Sequence, residues 1–355
     1  MPKPPCPITD AHSHVNGARA SLLLRQVMDL YGIDTIWSMT HLEQVATVRE
    51  VLGDRLQLIS IPDFTAKDRA HALGKGYLDR IGKYRELGSC ICKIWAAPRS
   101  IDLGIAAGDA DLFKLDSPVR VDAMRLATSL GMSLMVHVAD PDTWFQTRYR
   151  DASIYGTKSS HYLPLERLLD RFAVPWLAAH MGGWPEDLRF LAGLLDRHPN
   201  LRLDTSATKW MVRELSKHPL GAIADFLERF HDRILFGSDI VTTDEHFVAG
   251  DAKSEMAAKA SRAEDAFDLY ASRYWALRTM WESDFDGESP IADPDLAMVD
   301  PHGHTPNDAP RLRGQRLAAS TLRSLYAGAA EAFLSASRSS AAAAPPSGHA
   351  RSTHS

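Results

Sequence analysis

Residues 8–15 read ITDAHSHV and place Asp10, His12 and His14 at every second position. Side chains of a β-strand alternate between faces with period two, so on an unbroken strand all three point the same way. The stretch is followed by SLLLRQVMDLYG (21–32), whose apolar spacing is that of an amphipathic helix closed by glycine. The same alternation of a short apolar run and a longer helical pattern continues along the chain. The further runs are GIDTIWSM, LQLISIPDF, CICKIWAA, MSLMVHVAD, PWLAAHMGG, LRLDTSAT and RILFGSDI. Between them lie helical stretches such as VRVDAMRLATSLG, PLERLLDRF, EDLRFLAGLLDRHPN and GAIADFLERFHD. Eight strand–helix units from residue 8 to about 283 predict an α/β fold of the (β/α)8 barrel type. Its parallel strands read as apolar runs because both faces are covered.

A His-x-His pair alone means little, since 15 histidines in 355 residues yield roughly 0.6 such pairs by chance. The chain carries its own control. DPHGHTPNDAP contains His302 and His304 among Pro, Gly, Asp and Asn, with no apolar run around them, and reads as a loop. His12 and His14 differ in lying on a strand.

With 45% apolar and 24% charged residues, the composition is that of an ordinary globular protein. A net charge of -5 with intermixed signs argues against a nucleic-acid partner. No apolar stretch approaches the ~20 residues of a membrane span, and MPKPPCPITD lacks a signal-peptide core. Three cysteines, Cys6, Cys90 and Cys92, leave at least one unpaired and suit a reducing compartment, so the cytoplasm is expected. Cys90 and Cys92 alternate with Lys93 and are expected to face the helices as small apolar residues.

Residues 1–336 are read as one barrel with a closing helix, RLAASTLRSLYAGAAEAFL, and residues 337–355 as a disordered low-complexity tail. Residues 139–162, after strand five, are far longer than a usual βα loop and are expected to form a lid or substrate loop. A second excursion spans 240–262, after strand eight. Residues 284–310 are rich in Pro, Asp and Gly.

Barrels of this kind carry their chemistry at the C-terminal strand ends. There strand one offers His12 and His14, strand four Lys93, strand five His137, strand six His180 and strand eight Asp239. Converging imidazole and carboxylate groups make a metal-binding constellation, with zinc as the expected ion. Asp10, inside the strand, is expected to support a ligand rather than to be one.

In these residues the chain resembles the amidohydrolase superfamily, within it the amidohydrolase-related branch that includes aminocarboxymuconate-semialdehyde decarboxylase. The resemblance covers residues 8 to about 245 and rests on DAHSH, MVHVAD, AAHMGG and ILFGSD in that order. It implies His12, His14, His137 and Asp239 as metal ligands. His180 is then a catalytic histidine in a one-metal site or a ligand in a two-metal site. It implies a carbamylated bridging role for Lys93, whose alternative is pairing with a nearby carboxylate. Homodimers occur among relatives of this kind.

Trp95 shares the face of Lys93 and is read as a wall for a small-molecule substrate. Arg148 and Arg150, in the long loop, and Trp184, after strand six, are further substrate candidates. His41, Asp63, Lys209 and Trp210 also follow strand ends. The charges of RELSKHP and RYWALRTMWE read as solvated helix faces. The expected activity is metal-dependent hydrolysis of an amide, lactone or ester, with Asp239 taking and returning the water proton and His180 stabilising the oxyanion. Nonoxidative decarboxylation of an unsaturated or aromatic acid is the alternative, and a catalytically silent metal-binding protein the third reading.

Overall fold

The computed structural model describes residues 1–248 and 263–343. Nine parallel strands form one sheet: β1 (Ile8–Val15), β2 (Ile33–Ser38), β3 (Leu56–Ser60), β4 (Ile91–Trp95), β5 (Ser133–His137), β6 (Trp176–Ala178), β7 (Leu201–Asp204), β8 (Ile234–Leu235) and β9 (Ile240–Thr242). Their order is β8-β7-β6-β5-β4-β3-β2-β1-β9. β8 and β9 are two pieces of the eighth barrel strand. β8 pairs with β7 and β9 with β1, and between them Ala11 donates its N–H to Phe236 O at 2.8 Å while Asp239 donates to His12 O at 2.8 Å. The sheet therefore closes on itself as a (β/α)8 barrel.

The strands are buried almost throughout, because helices cover their outer faces and facing side chains fill the interior. β1 is not a uniform strand. Its register with β2 shifts between Asp10 and Ser13, a bulge that breaks strict alternation. Asp10 consequently turns away from the cavity lined by His12 and His14. It accepts from Ser238 N at 3.0 Å, Ser238 Oγ at 2.5 Å and the Tyr274 hydroxyl at 2.8 Å. Burial raises its carboxyl to about 6 against these bonds. Asp10 thus ties strand one to the turn that carries Asp239.

A second tie fixes the start of the helix Ala18–Tyr31. Asp244 accepts from the N–H groups of Ala18 and Ala20. It lies so close that a Cβ on Gly17, at φ +84°, would sit 2.4 Å from its Oδ1.

The segment after β5 is folded rather than open. It contains the helices Asp142–Phe145 and Ala152–Tyr155 and the turn Lys158–His161. Buried Lys158 bonds Asp142 Oδ1 at 2.7 Å and Glu186 Oε2 at 3.3 Å, pinning the segment to the loop after β6. Of the excursion expected at 240–262, residues 249–262 lie outside the described residues.

Beyond it, the helix Ala263–Glu282 packs on the barrel, and residues 284–310 are bracketed by a hairpin pairing Asp286–Glu288 with Arg311–Arg313. The closing helix runs as Ala319–Arg323, a π-turn at Ser324–Gly328, and Ala329–Ala343. It continues through 343, past the tail start expected at 337; residues 344–355 lie outside the described residues. Among the described residues no helix is long and apolar enough to cross a membrane.

The charges of RELSKHP and RYWALRTMWE are not all solvated. Arg213, Glu214 and Arg278 are buried. Arg278 is held by Glu282 one turn on, and Arg213 by acidic residues of the 284–310 segment, so each buried cation has a compensating anion.

Candidate active site

A cavity of 510 Å³ opens at the C-terminal ends of the strands. His12, His14, Lys93, Trp95, His137, His180 and Asp239 all line it. At one corner three donor atoms meet: His12 Nε2 and His14 Nε2 each lie 3.3 Å from Asp239 Oδ1. The His12 ring is fixed from behind, its Nδ1 2.9 Å from Asp204 Oδ2 and 2.9 Å from Ser206 Oγ. With Nδ1 donating to Asp204, the Nε2 lone pair is left facing Asp239, the arrangement that orients histidine ligands of metals.

The electrostatics ask for a cation between these groups. Burial would raise Asp239, but the hydrogen bonds of His12 and His14 and the charge of His12 and His180 hold it well below the usual carboxylate range. Burial and Lys93 oppose protonation of His12, yet Asp204 and Asp239 together raise it. Asp204 is likewise held low against burial, first by His12. Two nitrogens and a carboxylate oxygen converging in a negative corner fit a divalent ion.

Of the expected ligands, His137 is not brought into this group. Its Nε2 is bonded to Asp140 Oδ1 at 2.7 Å, and Asp140 Oδ2 accepts from the buried Tyr149 hydroxyl at 2.7 Å. The carboxylate three residues on competes for that ring nitrogen. His180 lies between the two: its ring meets His137 edge-on at 4.5 Å and His12 at 4.8 Å. Its Nδ1 is bonded to Ser206 Oγ at 2.8 Å, and its backbone N–H donates to Asp204 Oδ1 at 2.9 Å. Burial, then His137, lowers its pKa well below the ordinary range, so the imidazole is neutral at pH 7. Lys93 is not paired with a carboxylate: its buried Nζ has no hydrogen-bond partner, and burial lowers its pKa to about 8.

Backbone strain concentrates here. His180 (φ 59°), Met181 (φ 49°), Ala207 (φ 62°) and Asp239 (φ 57°) are non-glycine residues in the left-handed region, all just beyond strand ends or, for Asp239, between the two pieces of the eighth strand. Such conformations cost of order 1–3 kcal/mol each and persist where a site requires them.

The substrate residues divide differently. Trp95 lines the cavity, but Arg148, Arg150 and Trp184 do not. Arg148 is exposed and covers the Trp144 ring at 5.1 Å, and Arg150 is exposed. Trp184 stacks on Tyr162 at 5.5 Å. Trp210 lines the cavity and packs edge-on to His180 at 5.5 Å. Its indole N–H donates to Asp295 Oδ2 at 2.8 Å, as does that of Trp144 at 2.9 Å. Asp295 also pairs with Arg213, which is bonded to Asp293 and Glu214.

Sequence reasoning missed Asp204 and Ser206, although Asp204 ends a strand and the strand-end rule that chose Asp239 also points to it. It missed the rim residues Arg69 and Arg99, which follow β3 and β4. Asp295, distant in sequence within an irregular segment, carried no signal. His302 and His304 are exposed, and His304 Nδ1 is bonded to Asp308 at 3.1 Å.

The fold is a (β/α)8 barrel with histidine and carboxylate donors at its strand ends. The chain matches the amidohydrolase family model over residues 113–336 and belongs to that family. No curated protein matches it. Among solved structures it is similar to an amidohydrolase from Burkholderia multivorans with bound HEPES, at 12% identity and TM-score 0.42, over 93% of this chain and 99% of that one. It is similar to a probable 2-pyrone-4,6-dicarboxylic acid hydrolase from Acinetobacter baumannii, at 12% identity and TM-score 0.41, over 76% and 92%. A third is 5-carboxyvanillate decarboxylase from Sphingomonas paucimobilis, at 13% identity and TM-score 0.40, over 82% and 96%.

Proposed function

We propose that the chain is a metal-dependent enzyme that hydrolyses an amide, lactone or ester bond of a small molecule. The observation that carries this is the convergence of His12 Nε2, His14 Nε2 and Asp239 Oδ1. A divalent ion, zinc by the donor set, would be held there and would supply the Lewis acidity that acidifies a water and polarises a carbonyl.

The chain's own residues do the rest. Asp239, kept anionic by its two histidines, takes a proton at its free carboxylate oxygen and returns it to the leaving group. Neutral His180, held at Nδ1 by Ser206, donates to the developing oxyanion in the tautomer that carries its proton on Nε2. Asp204 orients His12 and the His180 backbone together. Trp95 and Trp210 shield the reacting bond from water.

One metal per chain is favoured, because His137 is engaged by Asp140. Nonoxidative decarboxylation is the second reading, and unpartnered Lys93 Nζ is what favours it, since a substrate carboxylate would satisfy that buried donor. Metal-loaded protein assayed on esters, lactones, amides and aromatic acids, with bicarbonate release and hydrolysis products measured in parallel, separates the two. Hydrolysis products without bicarbonate are expected; bicarbonate release overturns the first reading in favour of the second. Tight metal binding with no turnover on the whole panel would leave a silent binding protein.

A further inference from the structure

His12 and His137 are each backed by a carboxylate, but in opposite senses. His12 is held at Nδ1 by Asp204, which leaves Nε2 turned to the donor corner. His137 is held at Nε2, 2.7 Å from Asp140 Oδ1. Its ring lines the cavity, and among the described residues its Nδ1 has no hydrogen-bond partner.

Asp140 is itself clamped. It is buried, and its Oδ2 accepts from the hydroxyl of buried Tyr149 at 2.7 Å. Burial, then the charge of Asp140, pushes that hydroxyl up, so Tyr149 keeps its proton and donates. Tyr149 is packed in turn against the rings of Tyr155, Phe145 and Trp144, at 5.0, 5.4 and 5.6 Å, all within the folded segment after β5.

We propose that His137 stays outside the metal's coordination and accepts, at Nδ1, a hydrogen bond from a hydroxyl or N–H group of the substrate, with Asp140 and Tyr149 as its positioning residues. The substrate class is then a small molecule that carries such a donor beside the reacting bond, since the His137 and His180 rings are 4.5 Å apart. That placement rests on the function proposed above; the acceptor itself does not.

The argument is one of proton counting. An ionised carboxylate only accepts, and a neutral imidazole has one donor nitrogen and one acceptor. With Tyr149 donating to Oδ2, the bond at Oδ1 takes the ring proton on Nε2, and Nδ1 is left as a lone pair. A carboxylate behind a histidine fixes its tautomer and ring orientation in this way. A substrate without a donor would displace water from Nδ1 and leave it unsatisfied, which weakens binding.

The test is long-range proton–nitrogen correlation NMR of protein carrying isotope-labelled histidine, zinc-loaded and zinc-free, at about pH 8, where an ordinary histidine is neutral. The His137 signals are assigned by their loss in His137→Ala. They should show a proton on Nε2 and none on Nδ1 in both samples, and phenol, but not anisole, should move the Nδ1 resonance. Tyr149→Phe, which deletes one oxygen, and Asp140→Ala should each admit the form protonated on Nδ1, a change that loss of packing alone would not produce. In competition with a chelator, His137→Ala should alter zinc affinity less than twofold. An Nε2 that is bound to zinc or lacks its proton, a proton on Nδ1, no response to phenol, variants that keep the wild-type tautomer, or a tenfold loss of zinc affinity in His137→Ala overturns the proposal. Wild-type protein that takes up no zinc sinks the metal reading, and the tautomer and phenol response of the zinc-free sample still judge the acceptor.

Discussion

The donor corner and the outer part of the cavity are built in opposite ways. His12, His14 and Asp239 stand on or between barrel strands whose backbones are cross-bonded, and His12 is further held by Asp204 and Ser206. Arg69 opens the short helix Arg69–Leu73 and Arg99 lies in the turn before the helix Ser100–Ala106, both at the exposed rim. Trp210 reaches the cavity from a short helix after β7 and depends for its placement on Asp295, far away in the chain. Rigid strands position the reacting groups, while loops and a distal segment shape what reaches them. Damage to one region should therefore leave the other's readout in place.

The largest effect is expected at the distal clamp. Asp295→Ala removes the acceptor of two indole N–H groups and one partner of buried Arg213. Hydrogen bonds to charged groups contribute ~1.5–3 kcal/mol each, so unfolding in urea should show a loss of roughly 3 kcal/mol. Metal content should stay at the wild-type value. A fall in metal with no change in stability would break the separation between the two regions.

Asp239→Asn acts on the other side. It keeps the shape but removes the basic carboxylate, and turnover on the substrate identified by the panel should fall at least ~100-fold, about 2.7 kcal/mol of barrier. Circular dichroism should be unchanged. Near wild-type turnover in a folded variant would show that Asp239 carries no proton.

Asp204→Asn should weaken metal binding by about 10- to 100-fold in competition with a chelator, because it loosens the ring that His12 presents. Unaltered affinity would reduce Asp204 to a packing residue. The smallest effect belongs to Arg148→Ala. Its guanidinium lies over Trp144 outside the cavity, so stability should drop by no more than about 1 kcal/mol and KM should not change. A raised KM would return Arg148 to the substrate site.

The barrel was legible because eight apolar runs alternate with helical patterns, and the donor corner because strand-end position is visible in sequence. His12, His14 and Asp239 follow from that rule alone. His137 obeys it too, but its partner Asp140 is set by loop geometry that periodicity does not encode. Asp10 departs from the co-facial expectation because a bulge shifts register within β1. Arg213 and Glu214 look like a solvated helix face until residues 284–310 fold over them with Asp293 and Asp295. The same long-range closure hid Asp295 and its hold on Trp210, since local sequence carries no trace of contacts 85 residues apart.

The central claim is a metal held by His12, His14 and Asp239. Elemental analysis of purified protein tests it on three samples: wild type, His12→Ala/His14→Ala and His302→Ala/His304→Ala. The account predicts about one divalent ion per chain in wild type, about none in the first variant and the wild-type ratio in the second. Equal metal in wild type and the His12→Ala/His14→Ala protein would contradict it.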